Sequence, residues 1–485
     1  MNFCRLGLIL LCLMATCGCG PRPFACGTRP LEKSFWVWNR PHPLTVPEAD
    51  ALRRGGVRCL YWQAGELVAA PGGGLTLNRT APPSTLLASP AGPGIVPTVR
   101  VATGVRSPEA FTGEALGRVL RPLVDASPDR AVQLDFDCPD RLLSIYAARL
   151  RTARQVAGIR HLTITALANW CDAPGRDALW LAVDEVFPML YDTQPDAAPT
   201  VPGECHPVPP LDLARLRVWL AGWRRCPVPW HAGLPAFARV TLYDAAARPL
   251  GHLRTWEWDD VVYGPLLAGV DRFSVPGTHV LQARRATRLA DSRVEAGGFV
   301  VVRQPTESDL SSAIRAADAA GAQGVAFFRL PDTGSANGPS LAHTLALAAG
   351  QTTAPRPTLR WDASTGSGRL ILVNDSDADL PPRLDGPDAA ARGYRLEVRS
   401  PGAFAWREAL PGEFHSLAAT TAEGGARVAI PLATRLTFCF HGLPAHASLA
   451  TGLVQLAPAA DPAALRYRLS DFASPVDASS WQPLR

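Results

Sequence analysis

The stretch Val132–Pro139, VQLDFDCP, decides how the rest of the chain is read. Val132, Leu134 and Phe136 alternate with Gln133, Asp135 and Asp137. That is the period of a β-strand, whose successive side chains take opposite faces. The three polar residues therefore share one face, with successive members about 6.6–6.8 Å apart along the strand. Two carboxyl groups on one face repel, which raises the pKa of one toward that of a useful general acid.

Working outward, the same strand sits in a repeating βα rhythm. Short apolar strands are expected at Phe35–Arg40, Arg58–Gln63, Ile95–Val101, Val132–Asp137, Leu162–Ala168, Val186–Asp192, Pro229–Ala236 and Val325–Leu330. Amphipathic helices fit between them at Thr112–Asp125, Arg141–Ala157, Asp177–Asp184, Leu211–Arg224 and Asp309–Ala320. Eight such strands separated by helices predict an α/β fold, a (β/α)8 TIM-type barrel, over residues 34–350. Two regions interrupt the rhythm. Residues 64–94 hold a Gly- and Pro-rich excursion. Residues 237–304 form an insertion with strand-like segments at Arg239–Tyr243 and Phe299–Arg303. After a linker-like Gln351–Pro357 the texture turns all-β, with strands expected at Leu370–Asn374, Tyr394–Val398, Arg427–Ile430 and Leu436–Phe440. Residues 358–485 read as a β-sandwich.

Composition bounds the partners. The chain has 485 residues, 47% of them apolar and 19% charged, which excludes wholesale disorder. Its net charge of +5 is almost wholly arginine, scattered among acids and without a basic block, so no nucleic-acid partner is expected. The only long apolar run is N-terminal. Residues 1–20 read as an export signal, with Arg5 before an h-region of about ten residues, too short to span a bilayer. Small residues and cysteines follow, and Ala15-Thr16-Cys17 resembles a bacterial lipobox, with Gly18-Cys19 as an alternative. The expectation is an exported envelope or periplasmic protein, held to the membrane only by a lipid on Cys17 or Cys19, with residues 21–33 as a tether; an ordinary signal peptide without lipidation is the alternative. Cys205 and Cys226 are candidates for a disulfide in that compartment; the cysteines show no CxxC spacing, so no metal or other cofactor is expected.

Strand ends entering the βα-loops hold the chemistry of such barrels. Asp135 and Asp137 end the fourth strand, beside Gln133, and Tyr191 and Asp192 end the sixth in PMLYD. Trp36, Trp38, Trp62, Trp170 and Trp230 fall in or beside strands and offer faces on which sugar rings stack. The absence of Gly-x-Ser-x-Gly disfavours a serine hydrolase, and the loop Pro71-Gly72-Gly73-Gly74 lacks the Lys of a phosphate-binding loop. The sequence leaves three readings open: a glycoside hydrolase, a non-catalytic carbohydrate-binding relative and an envelope scaffold.

VQLDFDCP resembles the fourth-strand signature of family 18 (chitinase-like) glycoside hydrolases, a line of alternating acids ending in Trp-Glu-Tyr-Pro. Gln133 takes the place of the first Asp, Asp135 that of the second, Asp137 that of the acid Glu and Pro139 that of the Pro. FPMLYD is similar to that family's sixth-strand Met-x-Tyr-Asp. The wider barrel, with FWVWNR, LYW, QLDFD, ITALANWC and PMLYD, resembles the uncharacterised bacterial family "domain of unknown function 3142" over residues 33–345. The chitinase-like resemblance implies that the substrate's acetamido group is the nucleophile, oriented by Asp135, with Asp137 protonating the leaving oxygen and Tyr191 and Asp192 binding the sugar. Asp192 or Asp172 is the alternative, as second carboxylate of a two-acid mechanism. Two departures stand out. Asp137 is one methylene shorter than Glu, and Gln133 removes a member of the acid relay. Misplacing an acid by about 1 Å can cost about 10²-fold in rate.

Overall fold

The computed structural model describes residues 30–484, apart from 71–73, 80–92, 103, 106, 195–198, 200, 202, 332–336, 352–353, 365–366, 422–424, 459 and 472–480. The signal, Cys17, Cys19 and most of the tether lie outside the described residues.

Eight parallel strands close into a barrel: Glu32–Val37, Val57–Ala69, Gly94–Val101, Ala131–Asp135, His161–Leu167, Glu185–Met189, His231–Pro235 and Gly324–Phe328. Closure comes from the first strand, which pairs with the second on one side and with the eighth on the other. All eight expected strands are present, so the chain is a TIM-type barrel followed by antiparallel sheets.

Alternation sorts each strand's side chains. Phe35, Trp62, Leu134 and Ile164 face outward into the layer shared with the helices. Trp36, Tyr61, Phe187 and Ala326 meet inside the barrel. The helix Gly113–Ala126 starts where the Thr112 hydroxyl accepts the Ala115 N–H, satisfying one orphan donor. It buries Leu116, Leu120 and Leu123, and its Gly117 lets it lie against Val156 of the helix Leu143–Ala157. The seventh strand presents Gly233 to the interior, where an added Cβ would lie 3.0 Å from the Trp36 ring and 2.8 Å from the Pro188 carbonyl.

The second strand is longer than expected. It continues past Gln63 through a bulge to Ala69, and Leu75–Arg79 folds back antiparallel on it. Between the seventh and eighth barrel strands lies a five-stranded antiparallel sheet that contains Arg239–Tyr243 and Phe299–Arg303. Past residue 356 two further five-stranded sheets enclose a core of Leu359, Leu372, Leu396, Trp406 and Phe438. The strand expected at Arg427–Ile430 is not formed. Arg427 makes only an isolated bridge to Thr420, and Ile430–Leu432 turns as a 3-10 helix around Pro431, which has no N–H to give a ladder. Cys205 and Cys226 are not joined by a disulfide.

Candidate functional site

The fourth strand ends at Asp135, at the barrel's C-terminal mouth. Thr163 and Thr165 of the fifth strand repeat the polar alternation of Gln133 and Asp135, and Thr165 Oγ1 donates to Asp135 Oδ1 at 2.7 Å. On the other side Arg100 stands directly opposite Asp135, and Glu66 opposite Arg100. The row across the mouth thus reads Glu66, Arg100, Asp135, Thr165. Burial pushes the Asp135 carboxyl up to about 6, against the Thr165 hydrogen bond, and the Asp137 charge adds to the rise.

Asp137 stands two residues past the strand, exposed at the rim. The protein walls still raise its pKa, while the Arg100 charge pulls it down. The pair combines a carboxyl poised near neutrality inside the mouth with a second one reaching solvent.

Gln133 lies one layer deeper and is fully buried. Its Oε1 accepts the Trp36 indole N–H at 2.7 Å and the Thr98 hydroxyl at 3.3 Å, and its Nε2 has no partner. Tyr191 sits just beyond the sixth strand, stacked on Phe328 at 5.8 Å and edge-on to Phe237 at 6.0 Å. Burial, with the Asp135, Asp192 and Asp137 charges, holds its phenol well above the ordinary range, so the hydroxyl keeps its proton. Trp38 lies 5.9 Å from Phe328, which completes an aromatic wall of Trp38, Tyr191, Phe237 and Phe328.

The remaining residues are placed otherwise. Asp192 has a positive φ of 48° and a two-pronged pair with Arg239, at 2.5 and 2.9 Å. Asp172 pairs with Arg225 at 2.7 Å beside the helix Leu213–Trp223. Trp62, Trp170 and Trp230 are buried in the layer between barrel and helices, away from the mouth. The structure thus brings Gln133, Asp135, Asp137, Tyr191, Trp36 and Trp38 together and leaves those three tryptophans out. Sequence reasoning missed Arg100, Thr165, Phe237 and Phe328. Thr165 and Arg100 carried a signal, since each is the polar member of an alternating strand in phase with Asp135. Among the described residues no group of three or more His, Cys, Asp or Glu could hold a metal ion.

No family model and no curated protein matches the chain. Among solved structures it is similar to the spore cortex-lytic enzyme SleL of Bacillus megaterium QM B1551, at 14% identity over 67% of this chain and 75% of that one, with a TM-score of 0.42. It is also similar to the C-terminal domain of a putative chitinase from Desulfitobacterium hafniense DCB-2, at 14% identity over 66% and 99%, with a TM-score of 0.45. A family GH18 chitinase from Chromobacterium violaceum matches at 13% identity over 94% and 91%, with a TM-score of 0.38. The chain's own strand pairing makes it a closed eight-stranded TIM-type barrel.

Proposed function

We propose that this barrel hydrolyses glycosidic bonds of a polysaccharide, with Asp137 as the general acid. One observation carries the reading: two carboxyl groups meet at the exit of the fourth strand, and the inner one, Asp135, is held at about 6. Asp137, at the rim, gives its proton to the leaving oxygen. Asp135, held by Thr165, orients the acetamido group of the substrate, whose oxygen bonds to the anomeric carbon as the glycosidic C–O bond breaks; water then opens that intermediate and returns a proton to Asp137. The aromatic wall takes the apolar faces of the sugar, and the Tyr191 hydroxyl binds a ring substituent. The motif resemblance adds an amino sugar as the substrate class and membership of domain of unknown function 3142. The N-terminal signal adds a place in the cell envelope, through a lipid on Cys17 or Cys19.

A second reading has its own support. Asp137 is shorter than the Glu of the resembled motif and stands outside the paired strand, which suits a carbohydrate-binding relative that lost its acid. Incubation of the protein and its Asp137→Asn variant with a panel of polysaccharides, amino-sugar polymers included, separates the two. Oligosaccharides released by the wild type and not by the variant support hydrolysis. Binding by both with release by neither supports the second reading. No binding and no release would remove both.

A further inference from the structure

One end of the C-terminal sandwich carries a pattern that sheet energetics disfavour. Arg435, Arg399 and Arg466 stand directly opposite one another on three neighbouring antiparallel strands. Their stems rise from one face about 5 Å apart, where like charges repel. Arg468 shares that face, opposite Glu397. Glu397 pairs with Arg435, at 3.2 Å, and with Arg468, so one carboxylate serves two of the four guanidinium groups on this face. Among the described residues neither Arg399 nor Arg466 has a carboxylate partner. Arg399 lies over the Trp481 ring at 4.5 Å, and Arg466 donates to the backbone carbonyls of Ala463 and Leu465. A cation–π contact tempers this charge but does not neutralise it.

The chain just beyond the row is apolar and exposed. The strand Tyr394–Arg399 runs out into Ser400–Phe404, and the strand Arg435–Phe440 is entered from Ile430–Thr434. The Phe404 N–H donates to the Pro431 carbonyl at 3.0 Å, so the two loops lie side by side. Phe404 is 65% exposed and Leu432 47%. Pro401, Ala403 and Pro431 are exposed beside them. Phe404 also takes a positive φ of 63°, an unusual conformation for an aromatic residue.

We infer that this tip docks onto an anionic lipid surface. Phe404 and Leu432 enter the boundary between headgroups and acyl chains, and Arg399 and Arg466, which have no carboxylate partner among the described residues, pair with lipid phosphates. A soluble polyanion would use the arginine row but gain nothing from the apolar loops beyond it. An apolar tip with a basic collar suits an interface that is oily inside and negative outside. Trp481 stands at the collar, the level that indoles favour at membrane boundaries.

The chain from residue 31 onward forms one compact unit and suits the test. It is sedimented with vesicles of phosphatidylcholine alone and of phosphatidylcholine mixed with phosphatidylglycerol. The expected result is salt-sensitive binding to the mixed vesicles only. Arg399→Gln with Arg466→Gln should weaken that binding about 30-fold. Phe404→Ser should weaken it with the salt dependence unchanged. In a Phe404→Trp variant, brominated lipids should quench the new indole. Equal binding to both vesicles, no binding, no effect of these variants or no quenching would each overturn the inference. So would capture by a soluble polyuronate in place of vesicles.

Discussion

The Trp36 indole, on the first barrel strand, reaches across the interior to donate its N–H to Gln133 Oε1 of the fourth strand, at 2.7 Å. This bond floors the mouth. Gln133→Leu keeps most of the volume but leaves the indole N–H buried without an acceptor. Stability should fall by about 1–3 kcal/mol, read as a lower denaturation midpoint with an unchanged slope. No loss would mean that the indole finds another acceptor.

Asp135 is expected to cost the fold stability. Its pKa of about 6 lies above the unfolded value of roughly 3.9. Between those two values the folded state holds a proton that the unfolded chain has lost. Stability should therefore decline as pH rises from about 4 to about 6 and stay lower above that. Asp135→Asn removes the effect and should raise stability at pH 8 by roughly 1–3 kcal/mol, with hydrolysis lost. Calorimetry across this range checks the slope, and a variant less stable at pH 8 would sink the assignment.

Glu185 should show the opposite sign at the other end of the barrel. Burial pushes its carboxyl up, but His161 and His231, at 3.7 and 3.4 Å, more than offset this and bring it to about 2. The unfolded chain titrates near 4.3, so this contribution is present above that pH and is lost as pH falls toward 2. Glu185→Gln should flatten the acid limb of the stability curve and cost about 1–3 kcal/mol at pH 7. An unchanged acid midpoint would count against it.

Asp192 and Asp137 should part company when each is replaced. The Asp192–Arg239 pair is bidentate and partly exposed, so Arg239→Ala should cost about 1 kcal/mol. Asp192→Asn should cost a similar amount and leave most hydrolytic activity. Asp137→Asn should abolish activity and leave the melting temperature nearly unchanged. Equal kinetic losses in the two variants would return Asp192 to the role of second carboxylate.

The barrel was legible because its strands are buried on both faces and read as apolar runs, such as VAFFRL and LTITALA, separated by helical periods. Sidedness was less legible. Trp36 and Trp38 share the inward phase of their strand, whereas Trp62 falls between the inward Tyr61 and Gln63 and so faces the helices. Trp170 and Trp230 lie outside the phase argument, in a 3-10 turn and just before a strand. The aromatic wall was hidden for another reason. Phe237, just past the seventh strand, and Phe328, at the end of the eighth, are far from Tyr191 in sequence, and pairing of the sixth, seventh and eighth strands brings them together. The segment RVAI reads as a strand by composition, but the proline after it decides for a turn.

Gly233 gives the Trp36 ring its seat, and that ties two distant codons together. A side chain at 233 would press on the indole at 3.0 Å and on the immovable Pro188 carbonyl at 2.8 Å. A lineage descending from this sequence can enlarge residue 233 only after residue 36 has shrunk and the neighbouring strand has shifted. The reverse order passes through a misfolded ancestor. The inside of the barrel thus fixes the sequence of permitted evolutionary steps as well as the present arrangement of atoms.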